Sequence, residues 1–272
     1  MELNTLSVEE VLRVHDALVR DFAQTSDPIS PPGVKSRDLL ESAVSRQRTA
    51  IGGRLKYSDP ISNAATLLYG ICCDHPFHNG NKRTALVSML VHLDKNKLSP
   101  YGTNQDELFS MIMQVAMHTI GIRIPPKRRE RSVPRRNADE EVQDIAEWIA
   151  KRTARVVRGE KRITYRELRQ ILSRFNYSME NPDNNSIDIM KHMEEKKGFL
   201  LKKSTIITKR IGSIAYPGDT AEVSIKEIKK LRSMTDLTEE NGVDSESFYD
   251  EAVMIDSFVN RYRTTLRRLA HR

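Results

Sequence analysis

The sequence predicts a mainly α chain in two parts: a helical N-terminal domain, then a C-terminal α+β domain that ends in further helices. Three observations predict it. Apolar residues recur at helical spacing on both sides of a short polar stretch at 75–84. A basic, proline-bearing segment interrupts the middle of the chain. Beyond it, three candidate helices precede two candidate strands. The expected divisions are a domain over 1–124, a linker over 125–137 and a second domain over 138–272. With 272 residues, the chain is long enough to give both a core.

In the N-terminal part, Ile61 to Cys73 carries Ala64, Ala65, Leu67, Leu68 and Ile71 at helical spacing. Ala85, Leu86, Val87, Met89, Leu90, Val91 and Leu93 predict a second helix, apolar on most sides and therefore buried. Between them runs His75-Pro76-Phe77-His78-Asn79-Gly80-Asn81-Lys82-Arg83-Thr84. This polar loop opens onto the start of a central helix, where free backbone N–H groups and the helix dipole favour negative charge. Gly80 lets the backbone approach a ligand closely. Lys82 and Arg83 oppose the dipole, which suits a phosphate held there better than helix stability. Arg83 can grip a phosphate with two prongs, and Lys82 supplies a movable charge. Histidine ordinarily titrates near neutrality, so His75 is the candidate general base. The plainer reading is a non-catalytic turn, since Asn-Gly is a common turn pair. Zinc binding by His75 and His78 ranks low, for no third ligand stands at a convincing spacing.

The C-terminal elements follow in order. Asp139 to Val157 predicts a helix with Ile145, Trp148, Ile149 and Val156 inward. Thr164 and Glu167 form a capping-box pattern before Tyr165–Phe175. Ser186 is placed as the cap of a helix over Ile187–Lys197, ending at Gly198. Leu200–Ile207 and Ile211–Tyr216 predict two strands, turning near Lys209-Arg210. Three helices and a hairpin give the element order of a winged helix, an analogy of order alone. Ser224–Met234 and Ser247–Leu269 predict further helices, the last amphipathic, to pack on the rest of the protein or on a partner.

Composition bounds the function. The charged fraction is 30% and the apolar fraction 38%, ordinary for a globular chain. No run is apolar enough to span a bilayer, and the start lacks a basic-then-apolar signal pattern, so no membrane role and a cytoplasmic location are expected. Cys72 and Cys73 are adjacent, which excludes a disulfide framework and favours small buried residues. No Gly-x-x-x-x-Gly-Lys-(Ser/Thr) loop is present. The net charge is +7, and residues 1–125 balance at 13 basic and 13 acidic. The excess sits in Lys127–Arg136 and Arg261–Arg272. The first of these holds Pro134 and follows Pro125 and Pro126, and is the expected linker. Its charge leaves nucleic acid open as a partner of the C-terminal half, beside the simpler role of a solvated tether.

The motif resembles the signature of the Fic/Doc family, His-Pro-Phe-x-(acidic)-Gly-Asn-(Gly or Lys)-Arg. Lys82 followed by Thr84-Ala85-Leu86 resembles its death-on-curing (Doc) branch. Ser7–Asp16 and Arg37–Val44 are similar to the family's first two helices, and Ala50–Tyr57, with Gly52-Gly53, falls where the family has a target-holding flap. The similarity covers about residues 1–124. It implies a transferase acting on protein hydroxyls with ATP or another nucleoside triphosphate. His75 would be the general base, Gly80 and Asn81 would shape the anion pocket, and Arg83 would bind phosphate. Lys56 and Tyr57 would lie on the flap. Two departures stand out. Asn79 replaces the family's magnesium-holding acidic residue, so any magnesium would meet an uncharged amide oxygen. Lys82 replaces the glycine of the AMP-transferring branch, which favours phosphate transfer over AMPylation. The resemblance also implies a toxin-like role, a target such as a translation factor, and a separate antitoxin. The family's inhibitory pattern (Ser/Thr)-x-x-x-Glu-(Gly/Asn) is not met at Glu180-Asn181 or Glu240-Asn241, where Asn176 and Asp236 stand four residues before the glutamates. The alternative from another class is a degenerate Fic module whose C-terminal half binds nucleic acid or a partner.

Overall fold

The computed structural model describes residues 3–122, 136–155, 163–197, 203–243, 248–249 and 251–270. The chain is mainly α with an α+β part toward its C-terminus. It forms two compact units: Met1–Val156 with Phe258–Arg272, and Val157–Ser257. The expected linker over 125–137 falls almost wholly outside the described residues, except for Arg136 and Asn137. The helix that follows it belongs to the first unit.

The first unit is built on α3 (Pro60–Asp74) and α4 (Asn81–Lys95), packed against each other. From Arg83 to Leu93 every residue of α4 is buried, as the all-round apolar pattern predicts. Full burial of each large apolar side chain here contributes about 1.5–3 kcal/mol. Around this pair lie α1 (Val8–Phe22), α2 (Arg37–Ser45), α5 (Gln105–Ala116) and α6 (Ala138–Ala150). Each is capped by a side chain that accepts from the first-turn backbone: Ser7, Ser36, Asn104 and Asn137 respectively. Where α2 crosses α3, a Cβ on Gly70 would lie 2.9 Å from the Ala43 Cα. Gly70→Val is therefore expected to cost about 1–3 kcal/mol through overpacking. An unchanged urea midpoint would show that α2 gives way freely.

A short hairpin joins β1 (Ala50–Ile51) to β2 (Arg54–Leu55) through Gly52 and Gly53, at φ of +58° and +76°. Two successive positive φ values make the turn that matches strand twist, and glycine adopts them without strain. The helix expected to run to Val157 ends at Ala150, and β4 (Thr153–Arg155) pairs antiparallel with β3 (Leu98–Pro100). Ile145 and Ile149 are buried as expected, and Trp148 is half-buried beneath the Arg152 guanidinium, while Val156 lies outside the described residues. The predicted final helix is divided at Tyr262 into α9 (Glu251–Arg261) and α10 (Arg263–Arg268). Polar side chains of α10 tie it to α1 and α5 of this unit. Arg263 pairs with Asp21 at 2.8 Å, Arg268 pairs with Asp106, and Thr265 Oγ1 donates to the Gln105 carbonyl.

The second unit runs α7 (Tyr165–Arg174), β5 (Tyr177–Asp183), β6 (Ser186–Lys197), β7 (Lys203–Ala215) and α8 (Ile225–Met234). The strands form one antiparallel sheet in the order β5-β6-β7. The expected Thr164/Glu167 capping box is present, and Ser224 caps α8. The expected helix over 187–197 is instead a strand. Ile187 and Ile189 alternate into the core, and Asn184 and Asn185, at φ of +46° and +59°, make a two-residue turn before Ser186. The expected hairpin within 200–216 is one continuous strand, and Lys209 and Arg210 pair opposite Lys191 and Met190 instead of turning. Two helices, α6 and α7, the short β4 and three longer strands therefore stand where the winged-helix order needs three helices and a hairpin. Over 157–257 the sequence holds 17 basic and 18 acidic residues, so the positive excess lies outside this unit.

Candidate active site

The polar stretch is the turn between α3 and α4. His75 caps α3 in the left-handed conformation, φ 50° and ψ 56°. Pro76 has no N–H to continue the helix. A non-glycine residue held this way costs about 1–2 kcal/mol, so the surrounding contacts must impose it. They are numerous. The Pro76 carbonyl accepts from the Lys35 and Ser36 amides, and the His78 amide donates to the Gly33 carbonyl. Asn81 holds Phe77 from both sides: its Oδ1 accepts from the Phe77 N–H and its Nδ2 donates to the Phe77 carbonyl, each at 2.9 Å. Asn81 thus fastens the loop through its side chain. Phe77 is buried, as an anchor should be. The His75 imidazole is left exposed, with no side-chain hydrogen bond among the described residues.

Asn79 is engaged with the loop at both ends of its amide. Nδ2 donates to the Ser30 carbonyl at 2.8 Å, and Oδ1 accepts from the Gly80 amide at 2.6 Å. Among the described residues, no group of three or more His, Cys, Asp or Glu could hold a metal ion. A magnesium ion there would meet the uncharged Asn79 Oδ1, which already accepts from Gly80, and would rest chiefly on the nucleotide's own phosphates. Gly80 begins α4 at φ +79°, and a Cβ there would meet Ile29 Cδ1 at 2.9 Å. Its absent side chain makes room for Ile29.

No side chain caps α4, in contrast to α1, α2, α3, α5 and α6, where α3 is capped by Asp59. The first-turn amides thus meet Lys82 and Arg83 with no acid in the turn. Lys82 is half-buried, and burial pulls its ammonium below the ordinary range, with Arg83 adding to the effect. Arg83 is only 2% exposed. Its Nη1 donates to the Asp27 carbonyl at 2.9 Å, its guanidinium lies 5.0 Å from the Phe22 ring centre, and its Nε has no partner among the described residues. A buried cation with an unmet donor is costly unless something further pairs with it.

The sequence reading missed what braces this loop from behind. His15 lies on the buried face of α1, stacked on Phe77 with ring centres 4.0 Å apart. Its Nε2 accepts from the Gly33 amide, so Nδ1 carries the proton and donates to Thr84 Oγ1 at 3.0 Å. The ring therefore joins α1, the 30–36 segment, the loop and α4, and it works only when neutral. Its place on an apolar helix stripe was the one available signal. Further along α4, the buried His92 meets Asn63 Oδ1 through Nε2 at 2.9 Å. Burial depresses both histidines to about 4. Both are depressed below the unfolded value near 6.5, so the unfolded chain takes up protons first. Stability is full above about pH 6.5 and falls toward about pH 4, by up to about 1.4 kcal/mol per pH unit for each ring. Urea midpoints at pH 7, 6 and 5 should show this, and His15→Gln should flatten the slope. An equal slope in that variant would take His15 out of the account.

Lys56 and Tyr57, expected on the flap, stand at its foot. The hairpin itself is exposed, with Ile51 at 65%. Tyr57 is buried, and both residues meet Asp139 of α6. Cys72 is buried, and the Cys73 thiol is pushed up by Cys72 beside it and by burial, so Cys73 lacks the thiolate-favouring setting of a nucleophile. A cavity of about 410 Å³, bordered by Asp59, Lys95, Lys97 and Arg155, lies at the N-terminal end of α3, opposite the end that carries His75.

Residues 5–93 match the model of the Fic/DOC family. The match covers α1 to α4 and includes the whole motif. It defines this segment as similar to a family of nucleotidyl- and phosphoryl-transferring, protein-modifying enzymes. No curated protein matches the chain. No described helix is long and apolar enough to cross a membrane.

Proposed function

We propose that the chain is a Fic-type transferase of the Doc kind, moving a phosphate from a nucleoside triphosphate to a protein hydroxyl. The observation that supports it most is the pairing of an exposed, strained His75 with an uncapped α4 whose buried Arg83 has an unmet donor. The triphosphate would lie on the α4 amides with Lys82 and Arg83 as counter-charges. His75 would take the proton of the incoming hydroxyl as its oxygen bonds to the γ-phosphorus. The bond from that phosphorus to the bridging oxygen breaks, and a nucleoside diphosphate leaves. Attack at the α-phosphorus, releasing pyrophosphate and leaving AMP on the target, is the alternative at the same site. Lys82 favours the first, because it stands where the AMP-transferring branch leaves space for a phosphate. The exposed hairpin over 50–55 would hold the target segment. Any magnesium would come with the triphosphate and meet only the uncharged Asn79 Oδ1 of the protein, so no step is assigned to it. A toxin-like role in the cytoplasm, restrained by a separate antitoxin, belongs to this same proposal.

The test is mass spectrometry of lysate proteins after incubation with purified full-length chain and ATP. A gain of one phosphate on a hydroxyl is expected, and label should come from the γ-position of ATP. A gain of AMP would select the alternative, and no modification with any nucleoside triphosphate would end the proposal.

A further inference from the structure

The hairpin over 50–55 has two residue pairs and no buried side chain, so it cannot set its own position. Its foot does that. The Lys56 amide donates to the Thr49 carbonyl at 2.8 Å, closing the base. Asn63 Nδ2 donates to the Gln47 and Tyr57 carbonyls, each at 2.8 Å, and so ties both legs to α3. The remaining hold comes from far along the chain. Asp139 accepts from the Lys56 ammonium at 2.5 Å and from the Tyr57 hydroxyl at 2.8 Å. Those contacts hold the Asp139 carboxyl below its ordinary range.

Asp139 stands in the first turn of α6, beyond the segment that matches the Fic/DOC family. The start of α6 is itself anchored. Arg136 Nη1 donates to the Ile120 carbonyl and pairs with Asp144, both at 2.6 Å, and the buried Glu141 carboxylate meets His118 Nδ1 at 3.0 Å. An anchored strut thus carries one carboxylate to the two residues that lead from the hairpin toward α3. Nothing about α6 alone requires its first turn to reach there, since Asn137 already caps the helix.

We propose that Asp139 is a positioning residue for the target-holding hairpin, acting through Lys56 and Tyr57, and that α6 is accordingly part of the transferase unit. This rests on the transferase reading, and the test separates the two. Full-length wild type, Asp139→Ala, Asp139→Glu and Lys56→Met/Tyr57→Phe are compared by hydrogen exchange and by label transfer from ATP into serial dilutions of one lysate. In Asp139→Ala, amides of 50–57 should exchange about 5- to 10-fold faster, while those of 85–93 keep the wild-type rate. The lysate concentration for half-maximal labelling should rise about 5-fold, with the ATP concentration for half-maximal labelling unchanged. Asp139→Glu should recover part of both effects, and Asp139→Ala should add nothing to the Lys56→Met/Tyr57→Phe background. Unchanged exchange at 50–57 in Asp139→Ala overturns the assignment, as does a rise in the ATP requirement equal to that for lysate. If the wild type labels nothing, the transferase reading fails, and exchange alone decides whether Asp139 holds the hairpin.

Discussion

The His75→Ala protein is expected to lose label transfer by about 100- to 10,000-fold, the usual contribution of a positioned base. The loss should come with an almost unchanged fold. The imidazole is exposed and makes no side-chain hydrogen bond among the described residues, so its removal empties no core site. The backbone is the one complication. Position 75 sits at φ 50°, where alanine is disfavoured by about 1 kcal/mol or more. His75→Asn removes this ambiguity, because asparagine tolerates the left-handed region and cannot accept a proton at neutral pH. Both variants should be inactive, and the asparagine form should melt close to wild type. Transfer surviving in His75→Asn would remove the proposed base, whatever the alanine form does.

How much of this was legible in the sequence divides by the range of the interactions. The two central helices, the loop between them and the buried character of α4 follow from spacing within 30 residues. The Thr164/Glu167 box was equally local, and it is present. The strand over 186–197 is hidden in the sequence because Ser186 offers a helix cap and the Lys and Glu that follow outweigh the short alternation of Ile187 and Ile189. Long-range contacts left less trace. His15 and Thr84 are 69 residues apart, and Tyr57 and Asp139 are 82 apart. A single sequence shows the apolar stripe that places His15, but nothing in it names the partner. The packing of Asn79 and Gly80 could not be read either, since Ser30 and Ile29, which they meet, come from another segment.

Arg83→Met should separate binding chemistry from fold. The guanidinium is buried against Phe22, and the only hydrogen bond it makes among the described residues is to the Asp27 carbonyl. Burial lowers its pKa, with nearby Asp27 opposing the shift, so the fold carries part of the cost of a desolvated charge. Methionine fills similar volume and brings no charge. An apolar replacement of a buried charge is often neutral or stabilising when its partners are not left ionised and alone, and the partner atom here is a carbonyl oxygen. The unfolding free energy from urea titration should therefore change by no more than about 1 kcal/mol in either direction. Transfer should fall by about 1,000-fold, because a phosphate-facing arginine stabilises charge that appears only as the reaction proceeds. Arg83→Lys should not restore it: a lysine keeps the charge but loses the fork and the flat face against Phe22. A large drop in stability with activity per folded molecule preserved would make Arg83 a structural ion, and the site would then lack its principal anion-binding group.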